Sequence, residues 1–437
     1  MEKKVETLSR EIVKPSAPTP NHLKTLKLSL PDILSSAFYT GALLFYAADH
    51  QKCPVSSQEI SLKLKKSLSD TLTIFYPLAG RINGCSIDCN DEGAVFVEAR
   101  VDCLLSDFLQ NPVPESLELL IPDDAHSSKP VSWPVLLIQA NFFSCGGLSI
   151  TVCPSHKITD ATSLVMFIRG WADSTRGLGI TMIPEFTASD YFPAPHVLPF
   201  KEMGKVDFEQ TICVTKRFVF DAGKIKELKT RTASALVKNP TRVEAVTALL
   251  WRCATKASRS SSETLKTSVL QLVVNLRRWV SSLSENTIGN LLSFMILQNE
   301  RREMEEIMEV VGELRKKKEQ FSSTSNERFS GGDKSSMNIL EFVKEMVKLY
   351  SRTKDLELYT SNSWCKLQIY EADFGWGKPV WVTGRGTSIF KNLMLLLDAK
   401  DGEGVEAWIT LSQEHMKVLE HDTEFLEFAS LNPPPLS

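Results

Sequence analysis

The stretch "CPSHKITDATSLVMF" (Cys153 to Phe167) places His156 and Asp160 four positions apart between two apolar runs. An imidazole with its ordinary pKa near 6.5 is a base matched to neutral pH, and a neighbouring carboxylate is what a triad or a metal site would add. Three readings are open: a catalytic base with its supporter, a pair of metal ligands, or a helix start that contains a histidine. The strand-like run "LSITVC" stops at Pro154, and Leu164, Val165, Phe167, Ile168 and Trp171 then recur at helical spacing. His156 therefore falls on a connecting turn. Thr159 or Asp160 is the natural cap, because either side chain accepts from the free N–H groups of a first helical turn. With seven histidines in the chain, an H-x-x-x-D match arises by chance in about one such sequence in three. Taken alone, the pair reads as connection and cap. Two ligands also fall short of what a zinc site takes.

A second string, "EADFGWGKPVWV" (Glu371 to Val382), packs Asp373, Phe374, Gly375, Trp376 and Gly377 together. Two glycines permit positive φ, and two aromatics anchor a tight turn to a core. The likeness to the protein-kinase D-F-G string fails, since no glycine-rich loop, strand lysine motif or H-R-D string accompanies it.

These residues need a scaffold. A chain of 437 residues implies two or three cores, and 43% apolar with 24% charged residues is a globular balance. A net charge of −3 and a pI of about 6.2 argue against a nucleic-acid or membrane-surface partner. The basic run "LRKKKEQ" (Leu314 to Gln320) reads as a solvated helix end. Nine cysteines are an odd, scattered set, which fits neither a disulfide framework nor a zinc site. The charged start "MEKKVETLSR" has no signal-peptide pattern. The early apolar run "SSAFYTGALLFYAA" (Ser35 to Ala48) is short of the roughly 20 residues that span a bilayer. The expectation is a reduced, cytoplasmic, monomeric protein.

Along the chain, Ile60, Leu64, Leu68, Leu72 and Phe75 form one helical stripe, and "GAVFVEARVD" (Gly93 to Asp102) alternates like a strand. "PVLLIQANFFSCGGLSITVCPSH" (Pro134 to His156) reads as two buried strands around Gly146-Gly147. Pro184, Pro193, Pro195 and Pro199 mark a crossover linker over 182–207, between an N-terminal domain (1–181) and a C-terminal one (208–437). In the second domain "TRVEAVTALLWRCATKA" (Thr241 to Ala257) is an amphipathic helix capped by Thr241, and "SVLQLVVNLRRWV" (Ser268 to Val280) is a strand. "NERREMEEIMEVVGELRKKK" (Asn299 to Lys318) is a charged helix, and "SSTSNERFSGGDKSS" (Ser322 to Ser336) has the composition of a mobile surface loop. The fold class is α/β.

"SHKITD" in mid-chain and "DFGWG" near the C-terminus, together, resemble the BAHD family of plant acyl-CoA-dependent acyltransferases. "IVKPSAPTP" (Ile12 to Pro20), "YPLAGR" (Tyr76 to Arg81), "NPTRVEAVTALLWRCATKA", "VVNLRR" (Val273 to Arg278) and "IGN" (Ile288 to Asn290) extend the resemblance over nearly the whole chain. It is nearest to the branch of alkaloid and terpenoid O-acetyltransferases that includes vinorine synthase. The resemblance implies two similarly built domains of the chloramphenicol-acetyltransferase type, with a channel between them and His156 at its midpoint. It also implies that the segment around 373–392 returns to the first domain.

The implied chemistry is acyl transfer from an acyl-CoA, most simply acetyl-CoA, to a hydroxyl of a small-molecule acceptor. No permanently bound cofactor or metal is implied. His156 would act as general base without an acyl-enzyme, so neither Cys153 nor Ser155 need be a nucleophile. Asp160 would turn away and pair with Arg277, and Asp373 would be structural rather than catalytic. Trp364, nine positions before Asp373, would line the active site. Asn362 stands where relatives often carry threonine and is a candidate oxyanion donor. Lys256, Arg259 and Lys266 are candidates for the CoA phosphates. The alternatives are an amine acceptor, or a non-catalytic binding protein of the same fold.

Overall fold

The computed structural model describes residues 4–48, 56–126, 133–195, 212–261, 266–300, 306–351, 356–386 and 390–436. Two mixed sheets dominate. The first has six strands in the spatial order Val5–Val13, Ala94–Val101, Leu136–Phe143, Leu148–Pro154, Ala42–Tyr46 and Trp381–Gly384. The second has seven, in the order Leu292–Asn299, Thr267–Asn275, Leu356–Ser363, Leu393–Asp398, Val405–Ser412, Cys213–Phe220 and Ser430–Leu431. Neighbours in both sheets are antiparallel except at three places: the second and third strands of the first sheet, and the second to fourth strands of the second.

The expected stripe is buried: Leu64, Leu68 and Leu72 of the helix Ser57–Ile74 are fully enclosed. That helix packs against Ala161–Thr175, whose Trp171 indole donates to the Leu64 carbonyl at 3.2 Å. In the second half, Thr241 caps the helix Arg242–Ser260 in a reciprocal box with Glu244, satisfying two otherwise unpaired N–H groups. The run expected to be too short for a membrane span is the strand Ala42–Tyr46, buried along its whole length inside the first sheet. No helix among the described residues is long and apolar enough to cross a membrane.

Three expectations need correction. The charged helix starts later and runs further, from Ile307 to Arg328. The basic run is therefore in mid-helix, where Arg315 pairs with Glu244 at 2.7 Å. The supposed mobile loop is mostly helical: the next helix spans Gly332–Tyr350, leaving 329–331 between them. Serine-rich composition suggested solvent, but Ser325 is buried and donates to the Trp279 carbonyl at 2.9 Å, while Phe321 and Phe329 join a buried cluster. Of the proposed linker, 196–207 lies outside the described residues. The part before it holds a short helix, Ala188–Tyr191, whose Ala188 joins that same cluster.

The last strand of the first sheet comes from late in the chain. Trp381–Gly384 pairs antiparallel with Ala42–Phe45, so the polypeptide crosses back from the second sheet to the first. Trp381 stacks on Phe45 at 5.1 Å, and its indole nitrogen donates to Glu406 of the second sheet at 3.1 Å. Arg217 closes the arrangement: its Nε is 2.6 Å from Glu406 and its guanidinium lies 5.2 Å from the Trp381 ring centre. Both charged side chains are almost fully buried. Arg217→Met would strand the Glu406 carboxylate, and urea unfolding is expected to show a loss of about 3–5 kcal/mol. The double variant Arg217→Met with Glu406→Gln removes the orphaned charge while keeping an acceptor for Trp381, and should recover part of that loss.

Candidate active site

His156 lies just past the strand Leu148–Pro154 and before the helix Ala161–Thr175. Its backbone is fixed on both sides: its N–H donates to the Phe38 carbonyl at 2.8 Å, and its carbonyl accepts from the Asn290 amide at 2.6 Å. Asn290 is held in turn by Asp32, whose Oδ1 accepts from its backbone N–H at 2.7 Å and from its side chain at 2.9 Å. Asp32 also completes a reciprocal cap with Ser29 on the helix Leu30–Leu34. Three distant segments thus meet on one loop.

The imidazole edge meets the Phe38 ring with centroids 5.0 Å apart. Its Nδ1 is buried and has no partner in bonding geometry. Burial pushes the His156 pKa below its ordinary 6.5, partly opposed by its own carbonyl and by the charge of Asp160. The ring is therefore a neutral base at pH 7. Desolvation likewise raises the Cys153 thiol to about 12, which leaves it a protonated and poor nucleophile. Ser155 Oγ accepts from the Lys157 N–H at 3.3 Å.

Asp160, not Thr159, is the helix cap: its Oδ1 accepts from the Ser163 N–H at 2.9 Å. Its Oδ2 accepts from Arg277 Nη1 at 2.6 Å and from the Leu291 N–H at 3.2 Å. The guanidinium also donates to the carbonyls of Thr287 and Gly289 and to Ser163 Oγ. Both side chains of the pair are about 1% exposed. Asn275, at the end of the strand that leads to Arg277, donates to Thr162 Oγ1 at 2.9 Å.

The "DFGWG" segment closes on itself. Asp373 Oδ1 accepts from the Gly375 and Gly377 N–H groups at 2.7 and 3.0 Å, and both glycines have φ near +100°. Phe374 is fully buried, edge-on to Trp171 at 4.9 Å, and Trp376 stacks on it at 6.0 Å. The hydrogen bonds of Asp373 serve this turn.

Strand Leu356–Ser363 divides its residues between two faces. Tyr359 donates to the Ala254 carbonyl at 3.0 Å and Ser361 meets Thr247 at 3.4 Å, so both face the helix Arg242–Ser260. Thr360 and Asn362 alternate onto the opposite face. There Asn362 pairs with Leu395, which packs against the core of the first sheet. Trp364 is buried in that same core, with its backbone N–H on the Leu396 carbonyl at 2.7 Å and its indole nitrogen unpartnered.

Of the three candidate cations, Arg259 and Lys266 line one cavity of about 150 Å³ with Lys391, His415 and Glu357. Lys256 is absent from its lining and instead pairs with Asp422 at 2.8 Å. That pairing also accounts for a cluster of Cys253, Asp422 and Glu424 with metal-ligand types. Arg252 neutralises Glu424 as Lys256 does Asp422, leaving little reason for a cation there. Sequence reasoning missed Phe38 and Asp32 as neighbours of the His156 loop, and Lys391 and His415 as lining of the cavity. It noticed Asn290 only as part of "IGN", without a role.

A half-buried neutral imidazole thus sits on a loop stitched between two mixed sheets. The Transferase family model matches residues 3–426. The chain is 40% identical to BAHD acyltransferase BIA1 of Arabidopsis thaliana, over 99% of each protein. It is 36% identical to a 7-O-acetyltransferase named for epi-neemfruitin B from Melia azedarach, again over 99% of each. The crystal structure of vinorine synthase superposes with a TM-score of 0.83 at 32% identity, covering 99% of this chain and all of that one. The chain belongs to the BAHD family of acyl-CoA-dependent acyltransferases.

The geometry separates the two motif residues experimentally. Asp160→Asn removes a charge that favours the imidazolium, so the His156 titration followed by NMR should move to lower pH, not disappear. The same change leaves Arg277 buried without its counter-ion, and unfolding should show a loss of about 3–5 kcal/mol.

Proposed function

We propose that the protein transfers an acyl group, acetyl in the first instance, from acyl-CoA to a hydroxyl of a plant alkaloid or terpenoid, with His156 as general base. The observation that carries this reading is the His156 imidazole, fixed through its backbone by Phe38 and Asn290 and kept neutral by burial. The O-acetyltransferase name of one relative supports the acyl group and the hydroxyl acceptor.

In the proposed step, imidazole nitrogen takes the hydroxyl proton as the oxygen attacks the thioester carbonyl. The C–S bond of the tetrahedral intermediate then breaks, and the imidazolium returns the proton to the departing thiolate. No acyl-enzyme forms, consistent with a Cys153 thiol raised to about 12. The oxyanion is assigned to the Asn362 amide, which shares with Thr360 the strand face opposite the helix side. Trp364 closes the wall beside it. The CoA phosphates are assigned to Arg259 and Lys266, with Lys391 and His415 beside them in the same cavity.

Incubation with acetyl-CoA and a panel of polycyclic alcohols and amines, following free thiol release, tests the reaction. Release with alcohols supports the reading; release with amines alone would move the acceptor class. His156→Ala is expected to lower turnover by about 10²–10⁴-fold. Because burial depresses the imidazole pKa, kcat/KM should stay level as pH falls through 6.5 and decline only at lower pH. A decline beginning above 6.5 would contradict the assignment.

A further inference from the structure

The segment just before the strand Ala42–Tyr46 reaches the active site. The Thr40 N–H donates to the Pro154 carbonyl at 3.1 Å, Tyr39 faces Ser155 in a single antiparallel bridge, and the Phe38 carbonyl takes the His156 N–H at 2.8 Å. These bonds flank Tyr39 without using its own carbonyl, which therefore points to the opposite edge. The neighbour on that edge, Trp381–Gly384, ends its pairing at Ala42. Tyr39 is buried, so its carbonyl needs a donor other than a strand.

Arg385, the residue after that strand, supplies it. Its Nη1 donates to the carbonyls of Tyr39 and Ala125, each at 3.2 Å. Its Nη2 lies 2.9 Å from Glu118 and 3.2 Å from His126 Nδ1. A guanidinium has no acceptor, so that imidazole nitrogen accepts. The arginine stem crosses Gly41 closely: a Cβ there would lie 3.2 Å from Arg385 Cγ and 2.9 Å from Cys153 Sγ. On the other side, a Cβ on Gly386 would fall 2.7 Å from Pro114 Cα, in the helix Pro114–Glu118.

We propose that Arg385 is a positioning residue for acyl transfer: it completes the sheet edge at Tyr39 and so holds the Phe38 ring and carbonyl against His156. The inference rests on the reading of His156 as general base. The path is short, because Tyr39 and Phe38 are adjacent and the Phe38 ring meets the imidazole with centroids 5.0 Å apart. Without its donor, the buried Tyr39 carbonyl must turn to water, and Phe38 moves with it. Water then reaches the imidazole and the effect of burial weakens, while Asp160 and Asp32, whose charges favour the imidazolium, stay in place. The ring then titrates at higher pH. Lysine is no substitute, since a point-like ammonium cannot reproduce the planar fork that spans these four acceptors.

The His156 titration followed by NMR in the full-length protein, assigned by the resonance lost in His156→Ala, reads the placement directly. The pH profile of kcat/KM reads it in turnover. In Arg385→Ala the titration and the acid limb are both expected to move up toward 6.5, the opposite direction from Asp160→Asn. There kcat should fall about 10²-fold, with the KM for acetyl-CoA within about twofold of wild type. Arg385→Lys keeps the stem over Gly41 and a cation beside Glu118. It should shift in the same direction, and it serves if the alanine variant does not fold. Arg315→Met breaks the ion pair with Glu244 in the second half of the chain, lowering stability away from this segment, and is expected to keep the wild-type titration. A wild-type titration in the Arg385 variants, with activity falling only as the folded fraction falls, overturns the inference. So does an equal shift in Arg315→Met. Turnover surviving in His156→Ala would instead remove the base, and the role of Arg385 in turnover with it. That result is distinct from an unmoved titration.

Discussion

The ion pair between Asp160 and Arg277 is the constraint on which the site depends. Two charges removed from water need nearly every polar atom satisfied, or the burial penalty exceeds their attraction. Here the carboxylate accepts from Ser163, Leu291 and Arg277, and the guanidinium spends its remaining donors on Asn275, Ser163, Thr287 and Gly289. Those partners come from both halves of the chain. The pair therefore fixes where the helix Ala161–Thr175 begins relative to the strand Thr267–Asn275, and the His156 loop has little freedom left.

The other links between the sheets follow the same logic. Asn290 carries Asp32 to the His156 carbonyl, and burial raises the Asp32 pKa against the pull of its hydrogen bonds. Glu406 joins Arg217 to Trp381 at the far edge. Between these polar points the largest buried cluster is continuous: Trp364, Leu397 and Trp408 of the second sheet join the core built around the first. Apolar packing supplies the bulk of the attraction, which is non-directional. The buried polar links supply register, since each tolerates only one arrangement of donors and acceptors.

Local signals were legible and distant ones were not. The helix stripe from Leu64 to Leu72, the Thr241 box and the Asp160 cap all depend on neighbours within four residues, and the sequence displays them directly. The serine-rich segment after Lys318 misled because composition records average exposure, while Phe321, Ser325 and Phe329 are buried by contacts with residues far along the chain. Phe38 and Asp32 carry no pattern that marks them as neighbours of a histidine more than a hundred positions away. The resemblance brought Arg277 to Asp160, a pairing that spacing alone leaves open. It offered nothing comparable for Lys391 and His415, which meet Arg259 of the helix Arg242–Ser260 at the end of the second sheet where the strands Thr267–Asn275, Leu356–Ser363 and Leu393–Asp398 begin.

These placements set His156 and Asp160 in different surroundings, the one a neutral ring and the other half of a buried ion pair. An unpaired carboxylate four residues from the imidazole, in surroundings of low polarity, would favour the imidazolium strongly. The ring would then hold its proton at neutral pH and be useless as a base. Asp160 instead pairs with Arg277 at 2.6 Å, and burial outweighs its pull on His156. The guanidinium thus compensates the Asp160 charge in the core, while burial keeps the neighbouring imidazole neutral.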